Sequence, residues 1–192
     1  MRLLHTLAVL AATLMFSLGS TAFAGDRYQV ELLLIRQNQV PAIPALAPPE
    51  DWANGTPRLT AQSQTGTRLN SEAAKLQANS DYTVLLHKAW EQELSDQPSK
   101  IAIAEGPEHY GQFPVEGTLS LTLGRFTDVE ALFWVNQFDS NGLVSTSERL
   151  KQSSRTKNGE LNFLDNGHLA LMLKVTSLSA PPARPTPDDR QD

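Results

Sequence analysis

At 192 residues, with 21 acidic against 16 basic side chains and a formal charge of −5, the chain lacks the basic excess that a nucleic-acid partner asks for. It contains no cysteine, which excludes disulfides, thiol nucleophiles and cysteine-held metals, and its four histidines leave little for a histidine-rich metal site. The length suits one domain around a single core.

Residues 1–24 read as a cleavable signal peptide. Arg2 and His5 precede the apolar run LAVLAATLMF, and Ala22-Phe23-Ala24 supplies a small-x-small site, so cleavage is expected after Ala24. The run is short for a membrane span and no second one follows, so the expected product is exported, without a membrane span, and periplasmic.

The domain is expected over 25–179. YQVELLLIRQ (28–37) reads as a strand with Tyr28, Val30, Leu32 and Leu34 on one face and Glu31, Leu33 and Ile35 on the other. Both faces are largely apolar, which places it centrally in a sheet. A proline-rich arm or loop follows at 38–68, in which Trp52 is the one large apolar residue. RLNSEAAKLQANS (68–80) predicts a short helix, capped by Asn70 or Ser71, with Leu69, Ala73 and Leu76 on one stripe.

DYTVLLHKAWEQEL (81–94) fits two patterns. Leu85, Leu86, Ala89, Trp90 and Leu94 fall at helical spacing. As a strand, Tyr82, Val84, Leu86 and Trp90 share one face, and Leu85, His87 and Ala89 the other. The opening Tyr, Thr and Val favour the strand, and periodicity alone does not decide.

Beyond Pro98 the pattern is β. KIAIAE alternates, and GPEHYGQFPVEG reads as a turn-rich connection. GTLSLTLGRF (117–126) and VEALFWVNQF (129–138) read as neighbouring strands, and Asp139-Ser140-Asn141-Gly142 as a hairpin turn. LVSTSERLKQSSRTK suits a long exposed strand, from which ELNFLD is expected to pair back across Asn158-Gly159. HLALMLKVTSL (168–178) is the last strand, and proline-rich 180–192 is expected to be a disordered tail. The sum is an α+β domain, mostly antiparallel β-sheet built from hairpins, with one clear helix after the first strand.

Catalytic patterns are sparse. Ser154-Arg155-Thr156-Lys157 has the S-x-x-K form of penicillin-binding enzymes, but it lies in a strand-like stretch and lacks the companion motifs. Asp165 and His168 are spaced as in some acid–base or metal pairs, with His109 as a third partner, although Asp165-Asn166-Gly167 reads first as a turn. The carboxylate pairs Glu91/Glu93 and Glu105/Glu108 read as solvated charge. The chain is therefore read as a non-enzyme with no cofactor and no metal. Glycan binding needs flat aromatic faces with arginine and amide groups beside them. The side chains suited to it are Trp52, Trp90, Trp134, Tyr110, His87 and Arg125, with Asp165 and His168 as further ligand-binding candidates. Alternation sends His87 and Trp90 to opposite faces, and Trp90 is favoured of the two.

The pattern Tyr82-x-Val84-Leu85-x-His87-x-x-Trp90-x-Gln92 resembles the Y-x-V-L-x-H-x-x-W-x-Q signature of the CsiV family of periplasmic peptidoglycan-binding proteins. GTLSLTLGRFTDVEALF (117–133) and GELNFLDNGHLALMLKV (159–175) look like two further segments of that family, so the resemblance spans most of the exported chain. It implies a non-catalytic protein that binds peptidoglycan and supports cell-wall synthesis and cell shape. In that role it would help a bifunctional penicillin-binding synthase through its lipoprotein activator. The chain departs from the pattern at Asp128 and Asn162, which replace histidines, and at Asn166-Gly167-His168, which replaces His-Pro. The alternatives are a periplasmic adaptor that grips proteins through the arm and tail without touching glycan, and a wall hydrolase built on Asp165 and His168.

Overall fold

The computed structural model describes residues 26–179; the expected signal peptide and the 180–192 tail lie outside the described residues. In chain order the elements are β1 (Asp26–Gln37), β2 (Pro44–Ala45), a single 3-10 turn (Ala61–Ser63), α1 (Asn70–Gln77), β3 (Tyr82–Leu94), β4 (Ser99–Glu105), β5 (Val115–Leu123), β6 (Thr127–Phe138), β7 (Val144–Thr156), β8 (Leu161–Asp165) and β9 (Leu169–Ser177). They form a four-stranded sheet in the order β3-β1-β9-β8 and a five-stranded sheet in the order β2-β7-β6-β5-β4. The class is α+β, mostly antiparallel, with one helix after the first strand, as the sequence predicts.

The strand that reads as apolar on both faces is central. β1 pairs with β3 on one side and β9 on the other. Its Val30, Leu32 and Leu34 pack with Leu171 and Leu173 of β9 against Leu119, Leu121, Val129 and Phe133 of the second sheet. These side chains make the core of a two-layer sandwich. On the outer side of the first sheet, Leu33 meets Leu69 and Ala73, with Leu76 and Met172 beside them, so the helical stripe lands where the second apolar face of β1 needs cover. On the outer side of the second sheet, Trp52 and Ala53 of the arm pack on Ala102, with Ala104 and Phe113 beside them.

Residues 82–94 are a strand, and it differs from simple alternation at one place. Leu34 pairs with Leu86 and Ile35 with Val84, which leaves Leu85 as an extra, bulged residue. Val84 and Tyr82 therefore share the outer face with Ile35 instead of the core face with Leu86 and Trp90. A second expectation fails at Asn158-Gly159. β7 pairs with β6 and β2, whereas β8 pairs with β9, so ELNFLD crosses to the other sheet instead of pairing back. The turn is bonded to both layers: Thr127 Oγ1 donates to Asn158 Oδ1 at 2.7 Å, and Gly159 N donates to Val175 O at 2.7 Å. Asn-Gly supplies the positive φ (81° at Gly159) that a reversal needs, but it does not dictate which strand is met next.

Candidate functional site

The signature residues of β3 fasten the scaffold. Opposite His87 in the register is Leu33, so the imidazole lies on the outer face, where its Nε2 is 2.8 Å from Glu31 Oε1. Glu31 is buried, and its carboxylate also accepts from Arg68 N at 2.9 and 3.0 Å and from Leu69 N at 2.8 Å. Helix starts leave amides without partners. Asn70 and Ser71 do not cap α1: Leu69 holds the N-cap position without a side-chain bond, and the carboxylate from β1 instead holds the N-cap amide and the one before it. Trp90 points the other way into the core at 1 % exposure. Its Nε1 donates to Gln92 Oε1 at 2.8 Å, and Gln92 Nε2 donates to Ser99 O at 3.1 Å and Ser99 Oγ at 2.9 Å, tying β3 to the start of β4. As placed, the Trp90 ring offers no face to a sugar.

The other expected site residues lie in separate places. Arg125 is exposed on the β5–β6 turn, its guanidinium 5.7 Å from the Phe126 ring. Asp165 is exposed and turns its carboxylate back onto Gly167 N at 2.5 Å, closing the turn into β9. His168 is buried; its Nδ1 donates to Val40 O at 2.6 Å, and its Nε2 lies 3.1 Å from Glu148 Oε2 without hydrogen-bond geometry. Glu148 is also held by Arg36 Nε at 3.0 Å. His168 thus pins the arm beside a cavity of about 200 Å³ that Ile43 and Pro44 help to close. His109 is elsewhere, its ring 4.5 Å from that of Phe138. Ser154 and Lys157 lie along β7 and its following turn and not at a helix start. Among the described residues, no three His, Asp or Glu side chains come together as a metal site. Of the remaining aromatics, Trp52 and Trp134 are buried, while Tyr110 is exposed.

The surface feature with room for a polymer is on the outer face of the five-stranded sheet. Cross-strand pairing lays down one row of Lys100, Ser120, Glu130 and Ser153 and a second of Ala102, Thr118, Leu132 and Lys151. Trp52 docks over Ala102, and the segment from Trp52 to Thr56 stands as one wall of a trough of about 640 Å³ above these rows. Neither Lys100 nor Lys151 forms an ion pair among the described residues. Ammonium groups suit carboxylates, and hydroxyls and the Asn54 amide suit sugar or peptide polar groups. All are carried on paired strands or a docked turn, which fixes their spacing.

Beneath the arm lies a buried polar network. Glu116 is fully buried and accepts from Phe113 N at 2.9 Å and from Asn136 Nδ2 at 2.8 Å. Ser147 Oγ in turn donates to Asn136 Oδ1 at 2.7 Å. Burial pushes the Glu116 carboxyl up to about 7, against the opposing pull of these hydrogen bonds and of the Arg58 charge. Arg58 itself lies 5.1 Å from the Trp52 ring and 5.4 Å from that of Phe113, covering both. Glu31, Glu116 and the trough are all missed by the sequence reading. For Glu31 the signal is present: it is the one charge on an otherwise apolar face, and such a charge needs a partner.

The family model described as peptidoglycan-binding protein, CsiV, matches residues 53–178, which run from the docked turn of the arm through β9. No curated protein and no solved structure matches the chain. The matched stretch contains the β3 signature, the trough floor with its wall from Ala53 onward, and all strands of the second sheet except β2. The chain belongs to the CsiV family of peptidoglycan-binding proteins.

Proposed function

We propose that this chain is a non-catalytic periplasmic accessory protein, exported by a leader cleaved after Ala24. In this reading it binds peptidoglycan and supports wall synthesis and cell shape by helping a bifunctional penicillin-binding synthase through its lipoprotein activator. The observation that carries the reading is the family match over residues 53–178. The trough supports it physically. Peptidoglycan is a glycan with carboxylate-bearing stem peptides, and the trough sets the unpaired ammonium groups of Lys100 and Lys151 among hydroxyls and the single Glu130 carboxylate on a floor of paired strands. Sedimentation of the exported chain with purified sacculi tests the reading. Wild-type protein is expected in the pellet, and a Lys100→Glu/Lys151→Glu double variant largely in the supernatant; wild-type protein left wholly in the supernatant overturns wall binding.

A second reading, a protein-interaction adaptor that does not touch glycan, is favoured by one observation. The arm exposes Ile43 at 77 % and Leu46 at 85 %, apolar side chains that a partner would cover. Crosslinking in cells separates the readings: a double Ile43→Ser/Leu46→Ser variant that recovers the same partners in the same yield counts against the adaptor.

A further inference from the structure

The hairpin from His109 to Gln112 closes through His109 N to Gln112 O at 2.8 Å and Gln112 N to His109 O at 3.0 Å, with Tyr110 and Gly111 as its two loop residues. Their φ values are 50° and 85°, positive at both positions as a type I′ turn requires. Asn, Asp and Gly suit the first position, whereas a bulky side chain there is an outlier. The same chain shows the ordinary solution at Ala53–Thr56, where Asn54-Gly55 turns with φ of 47° and 69°. Burial does not offset the strain at Tyr110, because the residue is 81 % exposed. Strained positions of this kind persist where the side chain has work to do and the surroundings hold it.

The surroundings do hold it. Trp52 Nε1 donates to Gly111 O at 3.1 Å, Gln112 Nε2 donates to Pro49 O at 3.2 Å, and the His109 ring packs on Phe138. On the neighbouring β6–β7 turn, Gly142 sits against the hairpin: a Cβ there would press on His109 Nδ1 at 3.3 Å and make ordinary contact with Tyr110 Cε2 at 3.5 Å. Asp139 Oδ1 stiffens that turn by accepting from Asn141 N at 2.8 Å and Leu143 N at 2.9 Å. The two tips flank an open, shallow cleft of about 440 Å³ in which Glu108, Ser140 and Asn141 stand exposed beside the ring.

We propose that Tyr110 is the stacking platform of a saccharide subsite, with the cleft between the two tips taking one pyranose ring of an amino-sugar glycan. A pyranose offers a face of C–H groups to an aromatic ring and a rim of hydroxyl and acetamido groups to the Asn141 amide, the Ser140 hydroxyl and the Glu108 carboxylate. The cleft lining carries carboxylates and no lysine or arginine, so it selects for the glycan backbone over the acidic stem peptides. This rests on the peptidoglycan-binding reading and assigns the sugar to a place distinct from the lysine-bearing trough.

The test is sedimentation of wild type, Tyr110→Asn and Tyr110→Phe with intact sacculi, and with insoluble chitin, an uncharged amino-sugar glycan that carries no stem peptide. Asn is the residue the turn prefers, so Tyr110→Asn is expected to keep or raise the melting temperature while weakening both interactions about tenfold, the loss of roughly one stacking contact. Tyr110→Phe, which keeps the ring, is expected to bind as wild type does. Wild-type protein that fails to bind sacculi removes the peptidoglycan reading and this subsite with it. Wild type that binds sacculi while Tyr110→Asn binds equally well overturns the subsite alone. So does wild type that binds sacculi but not chitin.

Discussion

Across the outer face of the first sheet lies α1, whose Leu69 and Ala73 cover Leu33; across the outer face of the second lies a proline-rich arm that covers Ala102 with one indole. The two covers follow from what each sheet leaves outside. β1 presents Leu33 and Ile35 outward and needs an apolar stripe, which a helix provides. Around the trough, β4 to β7 present lysine, serine, threonine, alanine, one glutamate and one leucine outward, so a single docked tryptophan suffices and the rest stays open. Each cover has a buried carboxylate near its footing: Glu31 holds backbone amides at the helix start, and Glu116 holds the amide of Phe113, against whose ring Trp52 packs. The surface proposed to bind lies where the cover is incomplete.

The comparison breaks most readily at Trp52. Trp52→Ala is expected to cost about 4 kcal/mol in urea unfolding, the range for a large core truncation. A value near zero would make the arm an ornament and not a cover. Next in size is the pH dependence of the arm side. Below pH 4.5 the Glu116 carboxyl is protonated in folded and unfolded chains alike, and its contribution to stability is complete. Between 4.5 and about 7 the unfolded chain loses the proton while the folded chain keeps it, so stability falls as pH rises, by about 3 kcal/mol in all. Glu116→Gln is expected to flatten that slope in melts taken from pH 4 to 8. On the helix side, Glu31→Gln offers one acceptor where two oxygens served three donors, and about 2 kcal/mol of stability is expected to go. Faster hydrogen exchange confined to α1 amides would locate the loss there. Smallest for the fold is Lys151→Glu in the open trough, expected to change stability by less than about 0.5 kcal/mol while weakening sacculus binding. If it unfolds the protein, the trough is structural after all.

Much of this was legible in the residues. Apolarity on both faces of 28–37 places β1 centrally, and the leucines of 119–123 alternate inward as their spacing requires. The helix stripe Leu69, Ala73 and Leu76 is the one that packs. What stayed hidden is non-local. An Asn-Gly turn reads identically whether it closes a hairpin or carries β7 into β8 of the other sheet. The bulge at Leu85 depends on register with β1, which one strand cannot reveal. His87 and Trp90 read as ligand-binding candidates on opposite faces because their partners, Glu31 and Gln92, are set by pairing and by a local indole–amide bond. The arm's one tryptophan was visible, but its landing place on Ala102 was not.

The position of β1 also sets a timetable. Tyr28 faces Gln92 on one side and Ser177 on the other, so the strand made first cannot finish pairing until the last one exists. Contacts that span so much of the chain are slow to form, on the order of milliseconds to seconds. During that interval one hydrogen-bonding edge of a very apolar strand stands open to any other chain. A stop codon anywhere before Leu169 would make that interval permanent, so every chain that ends short of β9 leaves the β1 edge open for good.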